Sequence, residues 1–159
     1  MKLVSKLLAK RIENTLVRSG LIPRTLFAYL KNKSIQEVVR SIRDVIENSS
    51  IRKDGKWAAV IQSDFSAAFD RVSREHIFNI LRQLGFHEAT VNMIKSLYQG
   101  AQCRILINDS VTPTFPITAG TPQGCALSGM LYNIAIQPLI VRLNLLTEKG
   151  VVSPYSYPF

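Results

Sequence analysis

The chain has 159 residues, of which 47% are hydrophobic, and this length suits one modest folded core rather than several domains. Its two cysteines, Cys103 and Cys125, are far apart and lack the spacing of a metal site, which argues against a disulfide scaffold or a zinc module and favours reduced intracellular thiols. The net charge is +9, and residues 1–53 carry twelve Lys and Arg against four Asp and Glu. This excess of positive charge favours a polyanionic partner, either nucleic acid or acidic lipid, although many basic proteins bind neither.

The first third of the chain predicts two amphipathic helices. Apolar residues recur at helical spacing among basic ones over about residues 2–18, which indicates a helix rather than a signal peptide. Gly20 and Pro23 end this helix. Ser34 can cap a second helix, with Glu37 in the capping-box position. The second helix has one apolar stripe, made of Ile35, Val38, Val39, Ile42, Val45 and Ile46.

The middle of the chain predicts a strand followed by two helices. After a polar turn, residues 57–61 are continuously apolar, which is typical of a mostly buried strand. Ser73 can cap the next helix, and Gly85 can end it. A further helix is predicted over about residues 88–99.

The last third predicts a pair of extended segments and a long apolar helix. The segments "AQCRILIND" and "SVTPTFPIT" lie on either side of a turn at residues 108–110. A glycine-rich loop then leads into residues 126–146, which approach the length of a membrane span. Polar residues and a proline interrupt them, namely Asn133, Gln137, Pro138 and Arg142. We therefore expect a helix packed in a protein core, no membrane, and a mixed α and β organisation.

The residues that could carry chemistry concentrate in two places. Asp64 follows the predicted strand, where a carboxylate either caps a turn or is a ligand, and Asp70 precedes a predicted helix. The loop at residues 120–124, Gly-Thr-Pro-Gln-Gly, is equally well explained as a connection between a strand and a helix. His76 and His87 fit ordinary surface or packing histidines. Taken alone, these residues are compatible with a purely structural role and with a role in binding or catalysis.

Taken together, the two stretches resemble a known family. "DFSAAFDRVSREHIFNILRQLGF", followed along the chain by "GTPQGCALSGMLYNIAIQPL", strongly resembles the reverse transcriptase of non-LTR (LINE-type) retrotransposons. "KLVSKLLAKRIENTL" and "LFAYLKNKSIQEVVRSIRDVIE" extend the likeness towards the start of the chain. The resemblance implies an α+β fold, part of the fingers and palm of a right-hand polymerase, in which helices back an incomplete antiparallel sheet. Residues from about 1–56 would be fingers-like and residues from about 57–159 palm-like.

The resemblance also implies a reaction and the residues for it, namely RNA-templated DNA synthesis by nucleotidyl transfer. Asp64, with the backbone carbonyl of Phe65, would ligate Mg²⁺ or Mn²⁺ in the intact parent enzyme. Phe69 would lie beneath the sugar and select deoxynucleotides, unless it is simply a core aromatic residue. Gln123 and Gly124 would lie near the incoming nucleotide.

The implied partners are an RNA template, a DNA primer and deoxynucleoside triphosphates, inside the cell in cytoplasm or nucleus. Lys31, Lys33, Arg40 and Arg43 would contact the template and primer. Asp70 is assigned structural support rather than a metal ion.

The sequence also departs from the family pattern. The Tyr-x-Asp-Asp hairpin that supplies further catalytic carboxylates is absent, because Pro158 and Phe159 follow Tyr157, and the upstream fingers segment and the thumb are absent too. We therefore expect this chain to be inactive by itself and not to hold the metal stably. An apolar strand edge at residues 57–63 would favour self-association. Two alternatives remain, a non-catalytic nucleic-acid-binding or interaction module, and the product of a decayed element without function.

Overall fold

The computed structural model of the chain describes residues 2–23, 25–31, 33–49 and 60–151. Within these ranges the elements, in chain order, are α1 (Lys2–Arg18), α2 (Ile35–Ser49), α3 (Ala68–Arg71), α4 (Arg74–Gln83), α5 (Glu88–Tyr98), β1 (Gln102–Cys103), β2 (Leu106–Ile107), β3 (Ser110–Val111), β4 (Phe115–Pro116) and α6 (Ser128–Glu148). Helices thus combine with small antiparallel strand pairs, which is compatible with the predicted α+β class.

The chain divides into two compact units, each of which takes in two stretches of sequence. The first unit comprises Met1–Ala9 and Ala67–Ala135, and the second unit comprises Lys10–Ser66 and Ile136–Phe159. The division predicted near residue 56 lies outside the described residues and stays a prediction.

The second unit contains α2, whose start was predicted correctly. The Ser34 hydroxyl accepts a hydrogen bond from the backbone N–H of Gln36 at 3.2 Å, which satisfies one of the free amides at the helix start. The apolar stripe of α2 is largely exposed, since 67% of Ile35, 51% of Val39 and 58% of Ile46 is accessible to solvent.

The first unit holds most of the buried residues. Helix α4 packs against α5. The Ser73 hydroxyl caps α4 by accepting from the backbone N–H of His76 at 3.2 Å, and Gly85 ends the helix with a φ of +82°, as the sequence predicts. The buried apolar residues of the first unit are Leu8, Ile77, Phe78, Ile80, Leu81, Val91, Ile94, Tyr98, Leu127, Met130, Leu131 and Ile134.

Two short antiparallel strand pairs follow α5, as predicted. Strand β1 pairs with β4, and β2 pairs with β3. Asn108 and Asp109 connect β2 to β3 with φ values of 43° and 61°, respectively. A two-residue hairpin turn of type I′ needs positive φ at both central positions, and Asn and Asp tolerate it better than other non-glycine residues.

The strand predicted at residues 57–61 is not present in its described part. Val60 and Ile61 have no regular secondary structure, and 51% and 92% of them, respectively, is exposed. No strand pairs with residues 60–63 in the part of the chain that the structure describes, and without a neighbouring ladder an extended segment has no partners for its backbone groups. The prediction of a buried strand was wrong there, and the expected open edge is not formed by residues 60–63. Residues 57–59 lie outside the described residues.

Helix α6 is buried at one end only. Met130, Leu131 and Ile134 are at most 4% exposed, whereas Leu139 and Leu143 are 45% and 52% exposed. The core helix predicted here is therefore confirmed for the first turns alone. By length and composition α6 could cross a membrane, the one such helix in the described ranges, but the core helix of a soluble protein passes the same test.

Candidate nucleotide site

Asp64 and Phe65 lie in an irregular, exposed segment of the second unit. Residues 60–65 have no regular secondary structure, both side chains are exposed, and 51% of Phe65 is accessible. Because the preceding strand is absent from the described residues, Asp64 does not follow a strand as predicted. The segment enters α3 through Ala67, which has the left-handed backbone conformation with a φ of 51° and a ψ of 42°. This conformation costs a residue with a Cβ roughly 1 kcal/mol.

In the first unit, the two stretches that the sequence singled out come into contact. Residues 117–124, named the Gln123 loop below, lie against the segment that contains α3. The backbone N–H of Thr121 donates to the carbonyl of Phe69 at 2.8 Å, and the N–H of Gly120 donates to the carbonyl of Val72 at 2.9 Å. These two hydrogen bonds set the register of the Gln123 loop against α3.

Gly120 is the point of closest approach between the loop and α3. A Cβ built on Gly120 would lie 2.5 Å from the carbonyl oxygen of Asp70 and 2.8 Å from its carbonyl carbon and Cα. The residue is buried and has a φ of +76°. Only glycine satisfies both the close approach and the backbone angle without strain.

Arg74 makes the most extensive polar contacts in this region. Its Nε donates to the Gly120 carbonyl at 2.8 Å, and its Nη2 donates to the Ala119 carbonyl at 3.1 Å. Its Nη1 donates to the carbonyls of Ile117 at 2.8 Å and Tyr98 at 3.3 Å. The sequence interpretation missed this residue. One signal was present, since a cation in the first turn of a helix opposes the helix dipole and suggests a compensating contact.

Gln123 and Gly124 form an exposed turn at the far end of the Gln123 loop. Gly124 has a φ of +79°, and nothing lies within 4 Å of the place of a Cβ, so its backbone face is open. The Pro122 carbonyl anchors the turn by accepting from the Ser128 hydroxyl at 2.6 Å and from the Cys125 N–H at 3.3 Å. The amide side chain of Gln123 is therefore exposed on a turn that is anchored through the Pro122 carbonyl.

Phe69 is half-buried and belongs to an aromatic pair. Its ring lies 4.9 Å from the ring of Tyr132 on α6, with an angle of 34° between the planes. The contact supports a packing role for the ring, and partial exposure leaves part of it accessible. The two interpretations of Phe69 therefore both remain compatible with its surroundings.

Behind the loop lie two buried hydroxyl groups with different surroundings. Burial raises the pKa of Tyr98 to about 12. The hydrogen bond with Ser128 and the charge of Arg74 lower this pKa by smaller amounts. The guanidinium carbon of Arg74 lies 5.2 Å from the centre of the Tyr98 ring. Thr121 is 2% exposed, and its Oγ1 has no hydrogen-bond partner among the described residues. The sequence interpretation assigned neither residue.

The histidines and Asp70 have ordinary surroundings. His76 Nε2 lies 3.0 Å from the Ala135 carbonyl, and His87 Nδ1 accepts from the Ala89 N–H at 3.1 Å at the start of α5. Asp70 is exposed on α3.

The metal ions that the family resemblance implies need several convergent oxygen ligands. Among the described residues, no group of three His, Cys, Asp or Glu side chains converges on one point. The exposed carboxylate of Asp64 is a hard oxygen donor suited to Mg²⁺, but a pair of adjacent divalent ions needs more than one anionic ligand. The residues described here do not by themselves fit the two-ion site.

The predicted nucleic-acid-binding residues all lie in the second unit and are exposed, namely Lys31, Lys33, Arg40 and Arg43. The Lys33 ammonium lies 4.7 Å from the centre of the Phe27 ring, and the backbone N–H of Lys31 donates to Glu13 at 2.7 Å. These contacts order the turn before α2 and leave the cationic side chains on the surface.

Comparison with known proteins finds a matching family model and relatives that are proteins of transposable elements. The family model described as "Reverse transcriptase (RNA-dependent DNA polymerase)" matches residues 1–152. The chain is 31% identical over 143 residues to the "Transposon TX1 uncharacterized 149 kDa protein" of Xenopus laevis, which covers 90% of this chain and 11% of that protein. It is 33% identical over 93 residues to the "Retrovirus-related Pol polyprotein from type-1 retrotransposable element R2" of Popillia japonica, which covers 58% of this chain and 15% of that protein.

A more distant relative carries an explicit activity in its name. The "Probable RNA-directed DNA polymerase from transposon BS" of Drosophila melanogaster is 22% identical over 134 residues, 84% of this chain and 14% of that protein. The chain therefore spans between 11% and 15% of the length of these relatives.

Proposed function

The chain belongs to the reverse transcriptase family, as a domain of the kind found in non-LTR retrotransposon polyproteins, and on that premise we propose that it forms part of the fingers and palm of an RNA-templated DNA polymerase. The observation that carries the proposal is the contact between the Gln123 loop and α3. Two stretches with the family's motifs, separated along the chain, are joined by the hydrogen bond from the Thr121 N–H to the Phe69 carbonyl.

In this proposal the Gln123 loop and Phe69 form one wall of the site for the incoming deoxynucleoside triphosphate. The exposed Gln123 amide can donate and accept hydrogen bonds, and the open backbone at Gly124 permits close approach by a flat base or sugar. Phe69, fixed by the ring of Tyr132, presents a bulky edge that would exclude a 2′ hydroxyl.

Asp64 and the Phe65 carbonyl are proposed as ligands for Mg²⁺ or Mn²⁺ in the intact enzyme. Bound ions of this kind activate a hydroxyl nucleophile and neutralise a triphosphate. In this proposal the remaining carboxylate ligands of the intact enzyme come from outside the residues described here. An RNA template and a DNA primer are the proposed macromolecular partners, and their presence in cytoplasm and nucleus suits an intracellular location. Self-association stays a prediction.

Nucleic-acid binding by the chain is expected to be electrostatic and independent of sequence. If about four phosphates are neutralised, raising the salt concentration from about 50 to about 200 mM should weaken binding to an RNA–DNA duplex roughly a hundredfold, because bound counterions are released. Changing Lys31, Lys33, Arg40 and Arg43 together to Glu should weaken binding at least about tenfold and flatten the salt dependence. Fluorescence anisotropy with a labelled duplex measures both quantities.

A second charge-reversed variant tests whether binding depends on where the positive charges lie or only on the net charge of the chain. Lys95, Arg104, Arg142 and Lys149 are also exposed, and changing them to Glu alters the net charge by the same amount. This control variant should retain most of the binding. If the two variants lose affinity equally, the binding is a general effect of net charge and the assignment of the first four residues fails.

The 159-residue chain tested alone is expected not to extend a primer. A single carboxylate with one carbonyl cannot hold two divalent cations close together against their mutual repulsion, so attacking and leaving oxygens are not stabilised. The measurement is primer extension on an RNA template with Mg²⁺ or Mn²⁺, with Asp64→Ala as the control. Incorporation above background that disappears in the variant would contradict the expectation.

A further inference from the structure

The Gln123 loop depends on one side chain for its attachment at several points. Arg74 lies at the start of α4, immediately after the segment on which the loop rests, and is half-buried. All three of its guanidinium nitrogens donate to backbone carbonyls, and three of the four acceptors belong to the loop, at Ile117, Ala119 and Gly120. The fourth acceptor is the carbonyl of Tyr98, at the end of α5.

These contacts satisfy the polar backbone of an irregular segment. A loop that runs across a protein surface has carbonyl groups without ladder partners, and each must be paired with water, backbone or a side chain. Arg74 pairs three such carbonyls at once, because a guanidinium presents several N–H donors in one rigid plane. A lysine at this position would be a compact ammonium without that planar arrangement, so it could not reproduce the same set of contacts.

We propose that Arg74 is a positioning residue, which holds the Gln123 loop in register with α3 and thereby positions the turn at Gln123 for the incoming nucleotide. The role in nucleotide placement rests on the function proposed above, whereas the role in fixing the loop rests on the hydrogen bonds alone. Arg74 acts through the backbone of the loop and does not itself contact the nucleotide.

The reaction rates of the two cysteine thiols can be used to measure how often the Gln123 loop opens. Cys125 follows the Gln123 loop directly and is half-buried, with its N–H bonded to the Pro122 carbonyl. Cys103 is also half-buried but lies on β1, where it pairs with Phe115 of β4, before the Gln123 loop begins. The rates at which the two thiols react with a maleimide, resolved by mass spectrometry of the peptides, therefore report loop opening and sheet opening separately.

In Arg74→Ala the reaction rate of Cys125 should rise roughly tenfold while that of Cys103 stays within about twofold, because local opening exposes only the released segment. Arg74→Lys should behave like Arg74→Ala rather than like the unmodified chain. Adding millimolar guanidinium chloride to Arg74→Ala should lower the Cys125 rate again, relative to sodium chloride at equal ionic strength. A role in packing alone predicts neither the failure of lysine nor the recovery with guanidinium.

Arg82→Ala is the matched control, because Arg82 lies on the same helix and binds the exposed side chain of Glu88 at 2.9 Å instead of the loop. It should leave both thiol rates unchanged. The proposal is overturned if Cys125 reacts no faster in Arg74→Ala, if lysine preserves the slow rate, or if both thiols accelerate alike, which would indicate general unfolding. None of these measurements needs polymerase activity, so failure here is distinguishable from failure of the proposed function.

Discussion

Replacing Asp64 with alanine should lower the rate of DNA synthesis roughly a thousandfold or more in a chimera where this chain replaces the matching segment of an active non-LTR reverse transcriptase. The physical reason is that an anionic ligand for the metal ions contributes several kcal/mol to stabilising the charge that develops during nucleotidyl transfer. Asp64→Asn keeps the size of the side chain and removes its charge, and should therefore be almost as damaging. The measurement is the rate of single-nucleotide incorporation at saturating template and primer.

Asp70 is the matched control for this experiment. It is an exposed aspartate a short distance along the same stretch of chain, and it is assigned structural support rather than a metal ion. In the same chimera, Asp70→Ala should keep activity within about tenfold of the parent, since it removes no ligand of the ions. A chimera that stays active after Asp64→Ala, or that loses as much activity after Asp70→Ala, would refute the assignment of Asp64 as the metal ligand in this stretch.

Gly120→Ala should lower the free energy of unfolding by about 3 kcal/mol, which is a large part of the stability of a small domain. The added Cβ would lie 2.5 Å from the carbonyl oxygen of Asp70, and backbone cannot rotate away as a side chain can. Relief requires the loop to move off α3, which stretches the hydrogen bonds from Gly120 to Val72 and from Thr121 to Phe69. Urea unfolding followed by circular dichroism measures the change.

Gly124→Ala isolates the contribution of the backbone angle. Gly124 has nearly the same φ, +79° against +76°, but an added Cβ would meet no atom within 4 Å. Its substitution should therefore cost only about 1 kcal/mol, the strain of the left-handed conformation. Gly120→Ala failing to fold while Gly124→Ala folds would agree with the expectation. Equal losses in the two variants would show that the loop does not pack on α3 as described.

The helix boundaries follow from local chemistry and were therefore predictable. Ser34 and Ser73 each accept a backbone N–H of the helix that follows, and Gly85 ends α4 with a positive φ. The turn at Asn108 and Asp109 has the same kind of explanation. Each of these features involves residues only a few positions apart, so both partners of each interaction can be recognised within one short stretch of sequence.

The strand predicted at residues 57–61 illustrates the opposite case. An apolar run becomes a strand only when a neighbouring strand supplies hydrogen bonds, and none does so for Val60 and Ile61 in the described part of the chain. Periodicity likewise identified the apolar stripe of α2 and the apolar length of α6. It could not predict that α2 would be exposed along its stripe or that α6 would be buried only in its first turns, because burial depends on what packs against a helix.

The amino-acid sequence by itself determined the family and the residues that carry its motifs, since motif order and spacing are properties of the chain alone. Only the tertiary structure decided that the Gln123 loop rests on α3, that Gly120 needs the absence of a Cβ, and that Arg74 pairs three loop carbonyls. These contacts join positions more than forty residues apart, and no local pattern marks a backbone carbonyl as the partner of a distant arginine. Local rules determine the elements, whereas close packing and the pairing of buried polar groups determine how the elements meet.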